Sequence, residues 1–267
     1  MNKFYIQIAL FLLSVSVYLN NKTLAAEAAP GKATTSNSKN RYSTAEEIYE
    51  QNKDLLCANP EEANEAIKLM SKAVIHLAYY ATNKEGYKLC ESDGSNNTRY
   101  YKKKHNENTN VEKFTYQKGD PNKYNHEVGK LWDPNILNSL DYKSTKRKVV
   151  RVYNPNLIII QQRYKTTFFG RQEYFYALVK KSQISEDKTI IAMTSPNIND
   201  HNPSAKEYKN TIIESANLFK IDIDSEDDIK KGKLNKIFLN IGGYLIEKKD
   251  KCVHITYIES IDGHSSI

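Results

Sequence analysis

Four β-forming runs follow one another within residues 146–195, and no other feature limits the fold as much. They read "KRKVVRVYN" (146–154), "NLIIIQQRYK" (156–165), "QEYFYALVKK" (172–181) and "DKTIIAMTS" (187–195). Val, Ile, Tyr and Phe dominate them, the residues that suit a pleated, half-buried surface. Asn154-Pro155-Asn156 turns the first run into the second, and "SQISED" joins the last pair. Links this short have no room for a crossover helix. The runs therefore form an antiparallel meander, not βαβ units.

Flanking segments extend the sheet. "YKLCES", "TRYYKKKH" and "VEKFTYQ" precede the meander, and "KIFLNIGGYLIEKK" and "KCVHITYIESID" form a long hairpin after it. Helices come first. Ser43, with Glu46 three residues on, opens one as a capping box. Asn59-Pro60-Glu61-Glu62 opens a second, with Asn as cap, Pro at the first position and acids in the first turn. Ala63, Ala66, Ile67, Met70, Val74, Leu77 and Ala81 then recur at helical spacing. A short helix over 121–135 is broken by Asp133-Pro134. The fold class is α+β, a long antiparallel sheet with N-terminal helices. Residues 196–233 break the rhythm and read as a solvated insertion. Its Asp222-x-Asp224-x-Glu226 is no calcium loop, because Asp227 and Lys233 stand where Gly and Glu are required.

The chain has 267 residues and a formal net charge of +7. Residues 1–26 read as a signal peptide: Lys3, an apolar run from Phe4 to Leu19, then small residues for cleavage. Residues 27–43 read as a flexible linker, and 44–267 as one domain. The expected route is secretory. Of three cysteines, Cys57 and Cys90 are the favoured disulfide pair, since one closes a helical segment and the other sits in the first strand. Basic runs at Lys102-Lys103-Lys104 and Lys146-Arg147-Lys148 suit transient contact with anionic membrane. No nucleic-acid motif accompanies them.

Catalytic signatures are missing from the sequence. There is no G-x-S-x-G, Walker A loop, H-E-x-x-H or Rossmann glycine pattern, and the six histidines stand apart. No catalytic residue, metal site or cofactor is expected. A curved sheet closed by helices is a container instead. On the second run Ile158, Ile160, Gln162 and Tyr164 share one face and offer a mixed apolar and polar lining; Tyr174, Tyr176 and Leu178 share a face of the third.

In order, "KLWDPN", "RVYNPNLIIIQQRYK", "FFGRQEYFYAL", "TIIAMTS", "GGYLIEKK" and "ITYIESIDGHSSI" resemble a START-type lipid-transfer domain. The leader, the "CANPEEANEAIKLM" helix and "SEDDIKKGKL" are similar to the fam-a multigene family of malaria parasites. The resemblance implies a helix-grip fold, a sheet gripping a C-terminal lid helix with a lipid tunnel between. It implies phosphatidylcholine transfer and export toward the host cell or its parasitophorous vacuole. Ile267 lies at the threshold of the lid helix, which is expected to be missing from this chain. Arg171-Gln172 stands where many START domains have Arg-Asp, and the R-x-L-x-E/Q/D export pattern is absent. A phospholipid ligand needs an Arg for its phosphate and aromatic rings for a quaternary ammonium. The candidates are Arg151 or Arg163 with Tyr153, Tyr164, Tyr174 and Tyr176, beside Ile160 and Gln162. The alternative is a secreted interaction protein or variant antigen that keeps the scaffold without transfer.

Overall fold

The structure is a computed structural model that describes residues 42–94, 97–136, 144–164, 171–203 and 207–263. The signal peptide, nearly all of the linker, and 264–267, where the turn into a lid helix is expected, lie outside the described residues.

The short links of the meander have the expected consequence. Strands β4 (Ser144–Asn154), β5 (Leu157–Tyr164), β6 (Glu173–Ser185) and β7 (Lys188–Thr194) pair antiparallel in sequence order. β1 (Lys88–Asp93), β2 (Thr98–Lys104) and β3 (Asn110–Lys118) form a second meander. The long hairpin of β11 (Phe238–Lys248) and β12 (Val253–Asp262) joins the two, because β12 pairs with β3 and β11 with β7. The order across the sheet is β1-β2-β3-β12-β11-β7-β6-β5-β4. At the β7–β11 junction Gly243 has φ +130°, and a Cβ there would lie 1.9 Å from the Ile191 carbonyl oxygen. Only glycine allows the two strands to approach so closely.

Helix α1 (Ala45–Gln51) is capped one residue later than expected. Thr44 and Glu47 make the capping box, while the Ser43 amide donates to Asp133 Oδ2 at 3.0 Å. Helix α2 (Pro60–Thr82) begins as expected, with Asn59 accepting from the amides of Glu61 and Glu62. Helix α3 (Tyr124–Trp132) lies between the two meanders in sequence.

The two faces of the sheet are covered differently. One, the sealed face, receives the buried stripe of α2: Ala66, Met70, Ala73, Val74 and Leu77. Much of the rest of that face is covered by residues 196–203 and 207–234, which corrects the reading of 196–233 as a solvated insertion. Ile198, Ile213, Phe219, Ile221 and Ile229 are all buried in the same cluster as α2. Within the segment, β8 (Asn197–Asn199) and β9 (Lys220–Asp222) pair in parallel and α4 (Asp227–Lys230) follows; just after it, β10 (Asn235–Lys236) adds to β6. The acidic residues are partly solvated, but Glu226 and Asp228 bind sheet cations. The second face packs, among the described residues, on α1 and α3.

Candidate functional site

Strand alternation sorts the candidate residues. Ile158, Ile160 and Tyr164 belong to the second face, and Gln162 shares their parity. Phe175, Ala177 and Val179 of β6 lie beside them, followed by Ile191 and Met193 of β7 and Tyr244 and Ile246 of β11. Farther across, four aromatic rings make a row over β2, β3, β12 and β11. Tyr100 stacks on Phe114 at 4.6 Å between centroids, Phe114 lies 6.1 Å from Tyr257, and Tyr257 stacks on Tyr244 at 4.9 Å. This face is a continuous aliphatic and aromatic wall.

Polar groups interrupt it in places: Tyr124 and Thr189 share a hydrogen bond at 2.7 Å, Lys102 faces Glu112 beside the aromatic row, and a longer chain runs over β4 and β5. Arg147 Nε donates to Gln162 Oε1 at 2.8 Å, and Gln162 Nε2 donates to Tyr164 Oη at 3.0 Å. Gln162 is 2% exposed. A buried amide costs stability unless its donors and acceptors are met, and here neighbouring side chains meet them. Trp132, at the end of α3 on the same face, is 3% exposed, and its indole Nε1 has no hydrogen-bond partner.

The other five candidates, Arg151, Tyr153, Arg163, Tyr174 and Tyr176, lie on the sealed side, where they hold the covering segments in place. Arg151 Nη1 donates to Glu62 of α2 at 2.7 Å, and Tyr153 Oη donates to the same oxygen at 2.6 Å. Burial alone would raise the Glu62 pKa, but these two donors outweigh it and hold the carboxyl below its ordinary value. Arg163 grips Asp228 through both Nη atoms, at 2.6 and 3.1 Å. Tyr176 Oη accepts from Gln161 at 2.7 Å, and Tyr174 Oη donates to Asp200 at 2.7 Å. The structure therefore brings Ile160, Gln162 and Tyr164 together and separates them from the other five. Arg147 is the arginine that sequence reasoning missed.

The expected Cys57–Cys90 disulfide is not formed. Cys57 lies next to β4, where its amide donates to the Val152 carbonyl at 2.8 Å, and Cys90 lies in β1 at the opposite edge of the sheet. Both thiols are free, as is Cys252. The basic runs are partly engaged: Lys102 lies 3.5 Å from Glu112, Lys103 Nζ donates to the Glu85 carbonyl at 3.0 Å, and Lys148 pairs with Glu226. Among the described residues, no helix is long and apolar enough to cross a membrane.

No protein-family model matches the sequence, and no curated protein matches it significantly. Solved structures do match the architecture. Human StAR-related lipid transfer protein 5 aligns with a TM-score of 0.55 at 12% identity, over 76% of this chain and 84% of that one. The fold is START-like. Human STARD10 aligns more weakly, with a TM-score of 0.47 at 14% identity, over 73% of this chain and 68% of its own. At such identities the likeness is one of fold. It agrees with the helix-grip arrangement expected from the order of the strand motifs.

Proposed function

We propose that this chain is a non-enzymatic lipid carrier that holds a phospholipid, with phosphatidylcholine the first candidate, against the second face of its sheet. The observation that carries the reading is the contrast on that face: a broad aliphatic and aromatic wall that carries, at the β4–β5 side, a buried Arg147–Gln162–Tyr164 chain. Two acyl chains hold on the order of 30 methylenes at ~0.8 kcal/mol each, so exposing them in water costs on the order of 20 kcal/mol. A long apolar wall offsets that cost. An arginine suits the phosphate through charge-assisted hydrogen bonds, and aromatic rings suit a quaternary ammonium. The START-like fold supports the reading. The proposal includes fam-a membership, a secretory route set by residues 1–26, and transient contact with a membrane surface at loading and release.

The test uses purified protein mixed with labelled donor and unlabelled acceptor liposomes, together with mass spectrometry of lipid that co-purifies. Transfer of phosphatidylcholine above a protein-free control, with a matching co-purified lipid, is expected. Absence of both, for phosphatidylcholine and for sterol, overturns the carrier reading in favour of an interaction protein on the same scaffold.

A further inference from the structure

A cavity lies on the sealed side, under the segment that crosses from β7 to β11. Its volume is about 400 Å³, within the range of small-molecule sites. It is lined by polar groups, unlike the wall of the second face. Asp200 and Lys236 form an ion pair at its edge, 3.0 Å apart, with side chains 2% and 7% exposed. Lys236 Nζ also donates to the Ile198 carbonyl at 2.7 Å. Asp200 Oδ2 accepts from Tyr174, whose oxygen in turn accepts from Asn202 Nδ2 at 2.9 Å.

Such a pair is poorly explained by stability. Taking both charges out of water consumes most of their attraction, and an apolar pair of similar volume is often as stable. Burial also pushes the Lys236 pKa down, against the pull of Asp200. A buried pair next to a cavity, with a perturbed amine, is the pattern of a binding site. An ammonium has three N–H donors. Two of them go to Asp200 and Ile198; the ammonium also lies 5.7 Å from the ring centroid of Phe238 on the cavity wall, so its third donor serves that ring or a ligand beside it.

The lining also indicates the class of ligand. Lys236 and Asp200 cancel, and Glu207 adds one acid, so an anion is disfavoured. A cation would compete with Lys236 for Asp200. Four lining residues, Asn197, Asn199, Asn202 and Asn217, carry amides, which both donate and accept; Asn199, Asn202 and Asn217 spend part of that capacity on Asp222, on Tyr174 and Leu234, and on Asn210. Tyr208 stacks on Phe238 at 4.0 Å and 9°, giving one flat aromatic side. A neutral ligand bearing several hydroxyls fits all three properties. Hydroxyls donate and accept, carry no charge to desolvate, and leave an apolar C–H side for the rings.

We propose that this cavity is a binding site for a small neutral polyol or sugar, with Lys236 donating to one of its oxygens. It is separate from the lipid site and does not depend on it. The test is saturation-transfer NMR on the purified chain with glucose and myo-inositol, against serine, choline and inorganic phosphate as zwitterionic, cationic and anionic probes. Transfer to at least one polyol at millimolar concentration is expected, with none to the charged probes. The double variant Asp200→Asn with Lys236→Met removes both charges together and leaves neither unpaired. It is expected to weaken polyol binding about tenfold, as for loss of a hydrogen bond from a charged donor. Should that variant fail to fold, Asn197→Ala on the exposed rim is the substitute, with about threefold weakening expected. No transfer to either polyol, preference for a charged probe, or equal binding by the folded variant overturns the proposal. Liposome transfer is measured on the same samples. A protein that moves lipid but binds no polyol sinks this site alone, and the converse sinks the carrier alone.

Discussion

The two faces of this sheet are built from the same strands, yet side chains one residue apart do different work. On β5, Ile159 is covered by α2 and 196–234, while Ile160 looks onto the wall proposed for lipid. The sealed face combines a close-packed apolar cluster with charge clamps at its margin: Arg151 to Glu62, Arg163 to Asp228, and Lys148 to Glu226. The second face has a few short polar contacts in a broad apolar field: Arg147–Gln162–Tyr164, Tyr124–Thr189 and Lys102–Glu112. On the sealed face arginines hold one segment of the protein to another. On the second face the Arg147–Gln162–Tyr164 chain is short and lies on the two outermost strands, β4 and β5. The comparison teaches that residue type did not locate the ligand site. An arginine on a strand is a clamp or a ligand group according to its face, and face is set by register.

The most severe way to break the comparison is to open the sealed face. Leu77 of α2 is fully buried, and Leu77→Ala is expected to cost about 3 kcal/mol through lost burial and a residual cavity. Urea denaturation measures the loss. Lipid transfer per folded molecule should stay unchanged, because α2 lies on the far side of the sheet. A drop in transfer per folded molecule would show that the ligand is placed on the wrong face here.

Next in size is the functional effect on the second face. Removing Arg147 alone would leave the buried Gln162 oxygen short of a partner, so the informative variant replaces the whole chain with apolar groups. For Arg147→Met, Gln162→Leu and Tyr164→Phe combined, so that the Tyr164 hydroxyl is not stranded in turn, stability is expected to change by less than about 1 kcal/mol, since deleting every partner of a hydrogen bond is nearly neutral. Phospholipid transfer should fall about tenfold, the loss of one charge-assisted contact, while sterol transfer is retained. Equal loss for both lipids would show that the chain shapes the wall but reads no head group.

Much of the fold was legible in the sequence, and the site was only half so. The strands fall within a few residues of the runs that announced them, because β-branched and aromatic residues between turn signals leave little choice. Asn59 and Pro60 marked the start of α2 correctly. At α1, Ser43 with Glu46 and Thr44 with Glu47 satisfy the same pattern, and Ser43 instead bonds to Asp133. The 196–234 cover was misread because its buried residues, such as Ile198, Ile213 and Ile229, follow neither a helix nor a strand period over any useful length. Arg147 was missed for a geometric reason. With Asn154 opposite Leu157, regular pairing sets Arg151 against Ile160 and Val149 against Gln162. Bulges at Val152/Asn154 and Val149/Arg151 each insert a residue, so Arg151 faces Ile159 and Arg147 faces Gln162. A bulge re-aims every side chain beyond it, and composition alone gives no warning of where it falls.

The clamps supply the smallest test, through pH. Lys148 and Gln161 hold the Glu226 carboxyl down at about 2, although burial alone would raise it, and Arg163 holds Asp228 below its ordinary value. A depressed acid contributes stability that is fully present above its unfolded pKa and is lost as pH falls through the folded one. For Glu226 the window runs from the ordinary carboxylate value of 4.5 down to about 2. Both carboxylates are partly exposed, so solvent screening keeps the effect small. Denaturation midpoints of the wild type should fall across this window more steeply than those of Glu226→Gln, and the two curves should converge toward pH 2. Polyol binding, next to the clamped segment, should weaken in the same window. Parallel curves for the two proteins would mean that apolar packing alone holds the cover, and that its charges only dress the rim.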